Sequence, residues 1–169
     1  MSQVSAEHRS DAPQAVRCAV ITVSDSRTRQ TDTGGQLLND LLLQAGLTVD
    51  VREIIPDEPA IMRPLLERLR DDAQIDAVLL TGGTGLSSRD LTFETVSSLI
   101  TKPLPGYGEL FRMLSFQEIG AAAMLSRAVG GLMASTVVLT MPGSPAAVRL
   151  AVERIIGPEL RHMVREARR

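Results

Sequence analysis

The segment Thr81–Gly85 (TGGTG) holds three glycines and two threonines directly after a short apolar run. Glycine lets the backbone turn tightly and present N–H groups to an anion, so this pattern predicts a phosphate-binding loop. A P-loop is excluded because Leu86 and Ser87 stand where Lys-Ser/Thr is required, and the spacing does not match the dinucleotide-binding fingerprint. A tight structural turn is the alternative that the glycine count alone leaves open.

Two acids, Asp57 and Asp90, follow neighbouring predicted strand ends and are expected to face one crevice. Two carboxylates repel a phosphate unless a divalent cation lies between them, and Mg²⁺ prefers one or two carboxylates with phosphate oxygens and water. The pairing therefore predicts a Mg-nucleotide site. The structural alternatives are a helix cap ahead of Pro59 for Asp57, and a cap or turn acid before Thr92 for Asp90.

Small, hydroxyl or acidic residues stand at the other predicted strand ends too, at Ser24, Asp25 and Pro142–Ser144, and Ser87 follows the glycine segment. Arginine binds phosphate in a bidentate manner, and four arginines in or near predicted loops are candidates to hold a terminal phosphate. They are Arg27, Arg29, Arg89 and Arg112.

The elements that position these residues alternate between strands and helices, which predicts an α/β fold, a three-layer α/β/α sandwich with a mostly parallel sheet. Apolar, β-branched runs predict strands at Cys18–Val23, Thr48–Ile55, Ile75–Thr81, Ser126–Met133 and Thr136–Met141. Helical spacing predicts helices at Gln36–Ala45, Ala60–Arg70, Thr92–Ile100, Ala146–Ile156 and from Gly157 onward.

The second half of the chain has less regular patterns. The segment Leu104–Gly108 (LPGYG) is predicted to be a loop, and Ser115 with Glu118 has capping-box spacing at the head of a helix. Ser144-Pro145 offers a cap and a first-turn proline for the late helix. The methionines and leucines of Phe111–Leu125 predict core packing or a subunit interface.

The chain has 169 residues, a formal net charge of −2 and 44 % hydrophobic residues, as expected for one globular domain. We predict a flexible tail at residues 1–14 and a single domain at 15–165. The charge gives no support to nucleic-acid binding. The polar N-terminus and the lack of a membrane-spanning run predict a cytoplasmic protein with no membrane association. Cys18 is the only cysteine, and we expect it to be buried.

Five motifs in this order resemble the MoaB/MogA family of molybdenum cofactor biosynthesis proteins, over about residues 16–160. They are PDEP, TGGTGLSSRDLTFE, PGYGELFRMLSFQEIG, SRAVGG and MPGSPAAV. The segment FRMLSFQEIG and the chain length resemble the B-type branch.

The resemblance implies an enzyme that binds molybdopterin and Mg-ATP, transfers AMP to the pterin's terminal phosphate and releases pyrophosphate. It implies catalytic and Mg²⁺-binding roles for Asp57 and Asp90. It implies substrate binding by the glycine loop and its neighbours, here Ser24, Asp25, Thr81, Gly82, Gly83, Thr84, Gly85, Ser87, Arg89, Pro142, Gly143 and Ser144.

The resemblance also implies a homotrimer or homohexamer, and delivery of the product to a molybdenum-insertion protein. Some B-type members do not carry out adenylylation. A non-catalytic molybdopterin-binding or scaffold paralogue is therefore the alternative function.

Overall fold

A computed structural model describes residues 13 and 15–169; most of the tail predicted at 1–14 lies outside the described residues. Six strands form one sheet in the order β2-β1-β3-β6-β5-β4. The first four strands in this order are parallel, and β5 pairs antiparallel with both β6 and β4. The strands are β1 (Arg17–Val23), β2 (Thr48–Ile55), β3 (Ala77–Thr81), β4 (Lys102–Pro103), β5 (Gly130–Met133) and β6 (Thr136–Met141).

Helices cover both faces of this sheet, so the predicted α/β sandwich is confirmed. The helices are α1 (Thr33–Gln44), α2 (Pro59–Asp71), α3 (Thr92–Leu99), α4 (Pro105–Ile119), α5 (Pro145–Ala151) and α6 (Gly157–Ala167). A 3₁₀ segment, Gly120–Leu125, follows α4, and a π-helical segment, Val152–Ile156, joins α5 to α6.

The core has two parts, one on each face of the sheet. On one face α1, α4, α5 and α6 pack against side chains such as Val20 and Leu139, and on the other α2 and α3 pack against side chains such as Ile21 and Leu80. Neighbouring residues along a strand point to opposite faces, so strands buried on both faces are apolar without interruption. This explains the runs in β1, β3 and β6, which are buried almost throughout.

Several predicted boundaries were wrong. Residues 104–108 do not form a loop: α4 begins at Pro105, because proline is tolerated in the first turn of a helix. Ser115 does not cap a helix, since it lies inside α4 and is buried there. The strand predicted at Ser126–Met133 is confined to Gly130–Met133, and β4 was not predicted.

Two helix ends also differ from the prediction. α1 begins at Thr33, three residues earlier than expected, because the Asp32 side chain accepts a hydrogen bond from Gly35 N and caps the helix. The chain does not break before Gly157: the wider π turn at Val152–Ile156 continues into α6 and accommodates Pro158.

Candidate functional site

The carboxyl ends of the four parallel strands lie at one edge of the sheet. Residue pairing places Val23 beside Ile55, Thr22 beside Thr81, and Thr81 beside Met141. β2 lies on one side of β1 and β3 on the other. The direction in which the chain adds strands to the sheet therefore reverses between β1 and β3. Ligands of open α/β sheets bind at such a reversal, and the glycine loop begins at this point.

The glycine loop leaves β3 in a conformation that requires glycine. Gly82 has a φ of 108° and Gly83 a φ of 63°. A Cβ on Gly82 would lie 2.2 Å from the carbonyl oxygen of Val23, at the end of the neighbouring strand. The hydroxyl of Thr81 donates to the carbonyl of Pro142 at 3.1 Å and ties the loop to the turn after β6. Close backbone packing therefore fixes the path of this loop.

Asp57 lies under the glycine loop and is buried. Its Oδ2 accepts a hydrogen bond from Leu91 N at 3.1 Å, and its Oδ1 lies 3.4 Å from the Thr92 hydroxyl. The residue preceding α2 is Glu58, and its side chain makes no capping bond. Asp57 therefore does not cap the helix that follows it in sequence; it holds the start of α3 instead.

The environment of Asp57 disfavours its charged form. Burial raises the pKa of this carboxyl above its ordinary value, and the charges of Asp90 and Asp25 raise it further. The hydrogen bonds from Leu91 N and Thr92 oppose the shift without cancelling it. A carboxyl with a perturbed pKa at a sheet edge that also carries a glycine loop is a functional-site candidate on physical grounds.

Asp90 stabilises the turn that follows the glycine loop. Its Oδ2 accepts a hydrogen bond from Ser87 N at 3.0 Å, and a Cβ on Gly85 would lie 2.8 Å from the same oxygen. The Ser87 hydroxyl in turn accepts from Arg89 N at 3.2 Å. Asp90 is thus a turn acid as the structural alternative expected, and it also lines the cavity described below.

Asp25 connects the ends of β1 and β2 to the loop after β3. Its Oδ1 accepts from Asp57 N at 3.1 Å, and its Oδ2 forms an ion pair with Arg89 at 2.6 Å. The hydrogen bond from Arg89 is the main reason that the pKa of Asp25 lies below its ordinary value. The Ser24 hydroxyl accepts from the amides of Ser26 and Arg27 and shapes the preceding turn.

A cavity of about 390 Å³, here called the glycine-loop cavity, brings many of the predicted site residues together. Its polar wall comprises Gly83, Thr84, Gly85, Asp90, Pro142, Gly143 and Ser144. Its opposite wall comes from α4 and the 3₁₀ segment and includes Phe111, Ser115, Ile119, Ala122, Ala123 and Leu125. Ser144 caps α5 as predicted, since its hydroxyl accepts from Ala147 N at 3.2 Å. The cavity thus combines a polar wall with a larger apolar surface, which suits an organic ligand that carries polar groups at one end.

Arg127 was not predicted as a site residue, although it belongs to the SRAVGG motif. Its guanidinium donates to the carbonyl of Gly85 at 2.8 Å and to that of Asp90 at 2.7 Å, and it pairs with Glu94. It also lies over the Phe93 ring, 5.3 Å from the centroid. Arg127 therefore holds both ends of the turn from Gly85 to Asp90, a role that only the folded chain reveals.

The predicted arginines do not act as one group. Arg89 lies at the site edge on Asp25, whereas Arg112 is in α4 and not in a loop, with its guanidinium directed to the carbonyls of Ser126 and Ala128. Arg27 and Arg29 line a neighbouring cavity together with Ser24 and Asp25. Most site residues predicted at the sheet edge thus line one of these two cavities. The exceptions, which line neither, are Asp57, Thr81, Gly82, Ser87 and Arg89.

A further cavity of about 380 Å³ lies at the antiparallel edge, between β4, β5 and α6. It contains none of the predicted site residues and is lined mainly by apolar side chains such as Leu132 and Met163. Among the described residues, no helix is both long enough and apolar enough to cross a membrane.

A family model described as a probable molybdopterin binding domain matches residues 19–162, which include the whole sheet apart from the first two residues of β1. The chain belongs to this family. A curated relative, molybdenum cofactor biosynthesis protein B of Bacillus subtilis (strain 168), is 50 % identical over 165 residues, covering 96 % of each chain.

Solved structures of other family members have the same fold. A crystal structure of molybdenum cofactor biosynthesis protein B matches with a TM-score of 0.89 and 47 % identity, covering 94 % of this chain and 99 % of that one. The tungsten cofactor synthesizing protein MoaB from Pyrococcus furiosus matches with a TM-score of 0.82 and 34 % identity, covering 94 % and 100 %.

The role of Asp57 and Asp90 as Mg²⁺ ligands stays a prediction. Mg²⁺ takes oxygen ligands, usually one or two carboxylates with phosphate oxygens and water. The like charges of Asp90 and Asp25 act on Asp57, so a divalent cation beside these acids would relieve their repulsion. No group of three or more acids, histidines or cysteines in the described part of the chain is arranged to hold a metal. A Mg²⁺ ion held by Asp57 and Asp90 alone would need phosphate oxygens and water as its other ligands.

Proposed function

We propose that this chain is an enzyme of molybdenum cofactor biosynthesis that binds molybdopterin in the glycine-loop cavity and adenylylates it with Mg-ATP. The observation that carries the proposal is the convergence of the glycine loop, Asp90 and the Pro142–Ser144 turn on one cavity, with Asp57 directly beneath. The description of the matched family and the names of its relatives support the pathway and the ligand.

The proposed step is a nucleotidyl transfer. An oxygen of the pterin's terminal phosphate attacks the α-phosphorus of ATP, the bond from that phosphorus to the bridging oxygen breaks, and pyrophosphate leaves. Amide groups of the glycine loop orient the terminal phosphate, and the apolar wall with Phe111 and Ile119 excludes water from the organic part of the substrate. Mg²⁺, when bound at Asp57 and Asp90, supplies positive charge that offsets the phosphates. Catalysis is then mainly positioning and charge stabilisation.

We also propose that the chain works as a homotrimer or homohexamer and delivers its product to a molybdenum-insertion protein. Large apolar side chains on α4 and the 3₁₀ segment are exposed, from 48 % for Leu110 to 76 % for Met124. They are Leu110, Met113, Phe116, Ile119, Met124 and Leu125, here called the α4 face. Exposed apolar side chains grouped on neighbouring elements in this way are typical of an interaction site. Because Ile119 and Leu125 also line the glycine-loop cavity, a neighbouring subunit would lie at its mouth.

One observation favours the second candidate, a non-catalytic molybdopterin-binding or scaffold protein. Both carboxylate oxygens of Asp57 already contact groups at the start of α3, and the residue is only 6 % exposed. Holding the start of α3 is a structural role that would account for an aspartate at position 57 without catalysis. In that case the cavity would bind the pterin, and no pyrophosphate would form.

Substitution of the acids by their isosteric amides separates these two functions. Asp57→Asn and Asp90→Asn should each lower adenylylation by 100-fold or more while molybdopterin still binds. The amide oxygen can still accept from Leu91 N or Ser87 N, respectively, whereas the charge is removed. Asp71→Asn is the matched control, because Asp71 is an exposed acid that pairs with Arg70 and lines neither cavity. It should leave adenylylation and molybdopterin binding unchanged. Normal turnover by both active-site variants would show that these acids are not catalytic.

A further inference from the structure

The open cavity next to the glycine-loop cavity carries a net positive charge that no protein group in the described residues neutralises. Its volume is about 550 Å³, and it lies between the loop after β1 and the last residues of β2. We call it the arginine cavity. Its charged lining residues are three arginines and two acids, namely Arg27, Arg29, Arg52, Asp25 and Glu53.

Both acids of the arginine cavity are paired with arginines from outside it. Asp25 pairs with Arg89 at 2.6 Å, and Glu53 pairs with Arg68 at 2.8 Å. The carboxylates are therefore compensated without help from the arginines of the lining. Glu58 and Asp57 are further acids near this edge, and the charges of both act on Arg89.

The three arginines of the lining differ in how they are held. Arg52 pairs with the buried carboxylate of Asp32 at 3.1 Å. Arg27 instead donates to the carbonyl of Thr31 at 2.9 Å, and Arg29 donates to the carbonyl of Arg52 at 3.0 Å. A carbonyl orients a guanidinium without cancelling its charge. Among the described residues, neither Arg27 nor Arg29 has a carboxylate partner, so two positive charges remain at this cavity.

We propose that the arginine cavity binds a diphosphate group. Guanidinium groups bind phosphate oxygens in a bidentate manner, and two of them held in place by carbonyls have little freedom to lose on binding. The volume exceeds what one phosphate needs. Thr28 also lines the cavity, and its hydroxyl is a donor of the type that phosphate oxygens accept.

The position of the cavity gives this diphosphate a role in the proposed reaction. Pro56 lines the arginine cavity, and the next residue, Asp57, contacts the glycine loop that lines the other cavity. Asp57 therefore lies between the two. The source of this diphosphate is assigned on the basis of the proposed function. In that assignment the β- and γ-phosphates of ATP occupy the arginine cavity and the pterin occupies the glycine-loop cavity. The α-phosphorus then lies between the two, near Asp57.

Binding of inorganic pyrophosphate to the full-length protein, measured by calorimetry without pterin, tests the anion site itself. Arg27→Gln and Arg29→Gln should each weaken binding about tenfold, as expected for loss of one charge-assisted contact. Arg63→Gln and Arg154→Gln remove equal charge from arginines that line none of the cavities and should leave binding unchanged. Arg27→Lys and Arg29→Lys, which keep the charge, should give intermediate affinities, and thermal unfolding of every variant checks that it is folded.

A second comparison identifies the source of the diphosphate. ATP should lose affinity in the two glutamine variants as pyrophosphate does, whereas AMP, which lacks the β- and γ-phosphates, should bind all variants alike. Pyrophosphate binding that is unchanged in the folded Arg27 and Arg29 variants, or weakened as much by the control substitutions, would overturn the inference. A wild-type protein that binds pyrophosphate through these arginines but shows no pterin-dependent turnover would retain the anion site and refute only the proposed function.

Discussion

Gly83 lies directly against the carboxylate of Asp57. A Cβ on Gly83 would be 2.3 Å from Oδ2 of Asp57 and 2.1 Å from Oγ1 of Thr92. The residue also has a φ of 63°, a backbone conformation that side-chain-bearing residues rarely adopt. The glycine loop and the buried acid are thus one packed unit, in which the loop can follow its path only because residue 83 has no side chain.

Replacement of this glycine should damage both stability and ligand binding. Gly83→Ala is expected to lower the free energy of unfolding by about 2 kcal/mol or more, since it adds backbone strain and a collision with Asp57. Pterin binding should weaken at least tenfold because the loop must shift. Denaturant unfolding and pterin titration measure the two effects. Gly106→Ala, in the first turn of α4 with no atom within 4 Å of the added Cβ, is the control and should be neutral or slightly stabilising.

Asp57 should have opposite effects on stability and activity. Its folded-state pKa is raised, so the ionised carboxylate destabilises the fold at neutral pH, and this penalty disappears as pH falls through the folded-state pKa to the unfolded-state value. The free energy of unfolding of Asp57→Asn at pH 7 should therefore equal that of the wild type or exceed it by up to about 1 kcal/mol. This difference should be smaller near pH 4. Asp57→Ala, which leaves Leu91 N without its acceptor, should cost about 1–3 kcal/mol. An Asn variant less stable than the Ala variant would contradict this explanation.

The ion pair between Asp25 and Arg89 predicts a titration of the opposite sign. Because the pKa of Asp25 is lowered in the fold, its contribution to stability is present above the unfolded-state pKa and is lost as pH falls through the folded-state value. Arg89→Gln should move the pKa of Asp25 upward toward its ordinary value, as measured by carboxyl NMR titration. Arg68→Gln, which removes the arginine paired with Glu53, should leave Asp25 unchanged. Equal shifts in the two variants would mean that Arg89 has no specific effect.

The α4 face should control assembly. Met113→Glu combined with Phe116→Glu places two charges on a surface where these side chains are 53 % and 61 % exposed. Sedimentation should show the oligomer dissociating to a smaller species, because burial of those charges is costly. Leu43→Glu, at a similarly exposed leucine on α1, is the control and should sediment like the wild type. A wild-type monomer would refute the expected homotrimer or homohexamer outright.

The sheet was easier to predict from sequence than the helix that forms one wall of the cavity. β2 and β6 have the predicted limits because continuous apolar or alternating runs end at Pro56 and Pro142. The helix predicted to begin at Ser115 begins at Pro105, and its first turns were missed because both sides of α4 carry apolar residues. Tyr107 and Phe111 are buried with ring centroids 6.5 Å apart, while Met113 and Phe116 are exposed. A helix that is apolar on two sides lacks the 3.6-residue pattern on which the prediction depends.

The residue types of the candidate site could be read from the sequence, but their contacts could not. The amide of Asp57 is 32 residues from Asp25, its carboxylate is 34 residues from Leu91, and Arg127 is 42 residues from Gly85. Only the order of the strands brings these groups together. For the same reason the four candidate arginines could not be assigned, and they proved to have three different environments.

The most direct test of the proposed function is pyrophosphate release by the purified protein with molybdopterin, ATP and Mg²⁺, beside a reaction without the pterin. The proposal predicts release only when the pterin is present, in a one-to-one ratio with adenylylated product. Bound molybdopterin with no pyrophosphate would contradict the adenylyltransferase function and would leave a pterin-binding scaffold, with Asp57 serving to hold the start of α3.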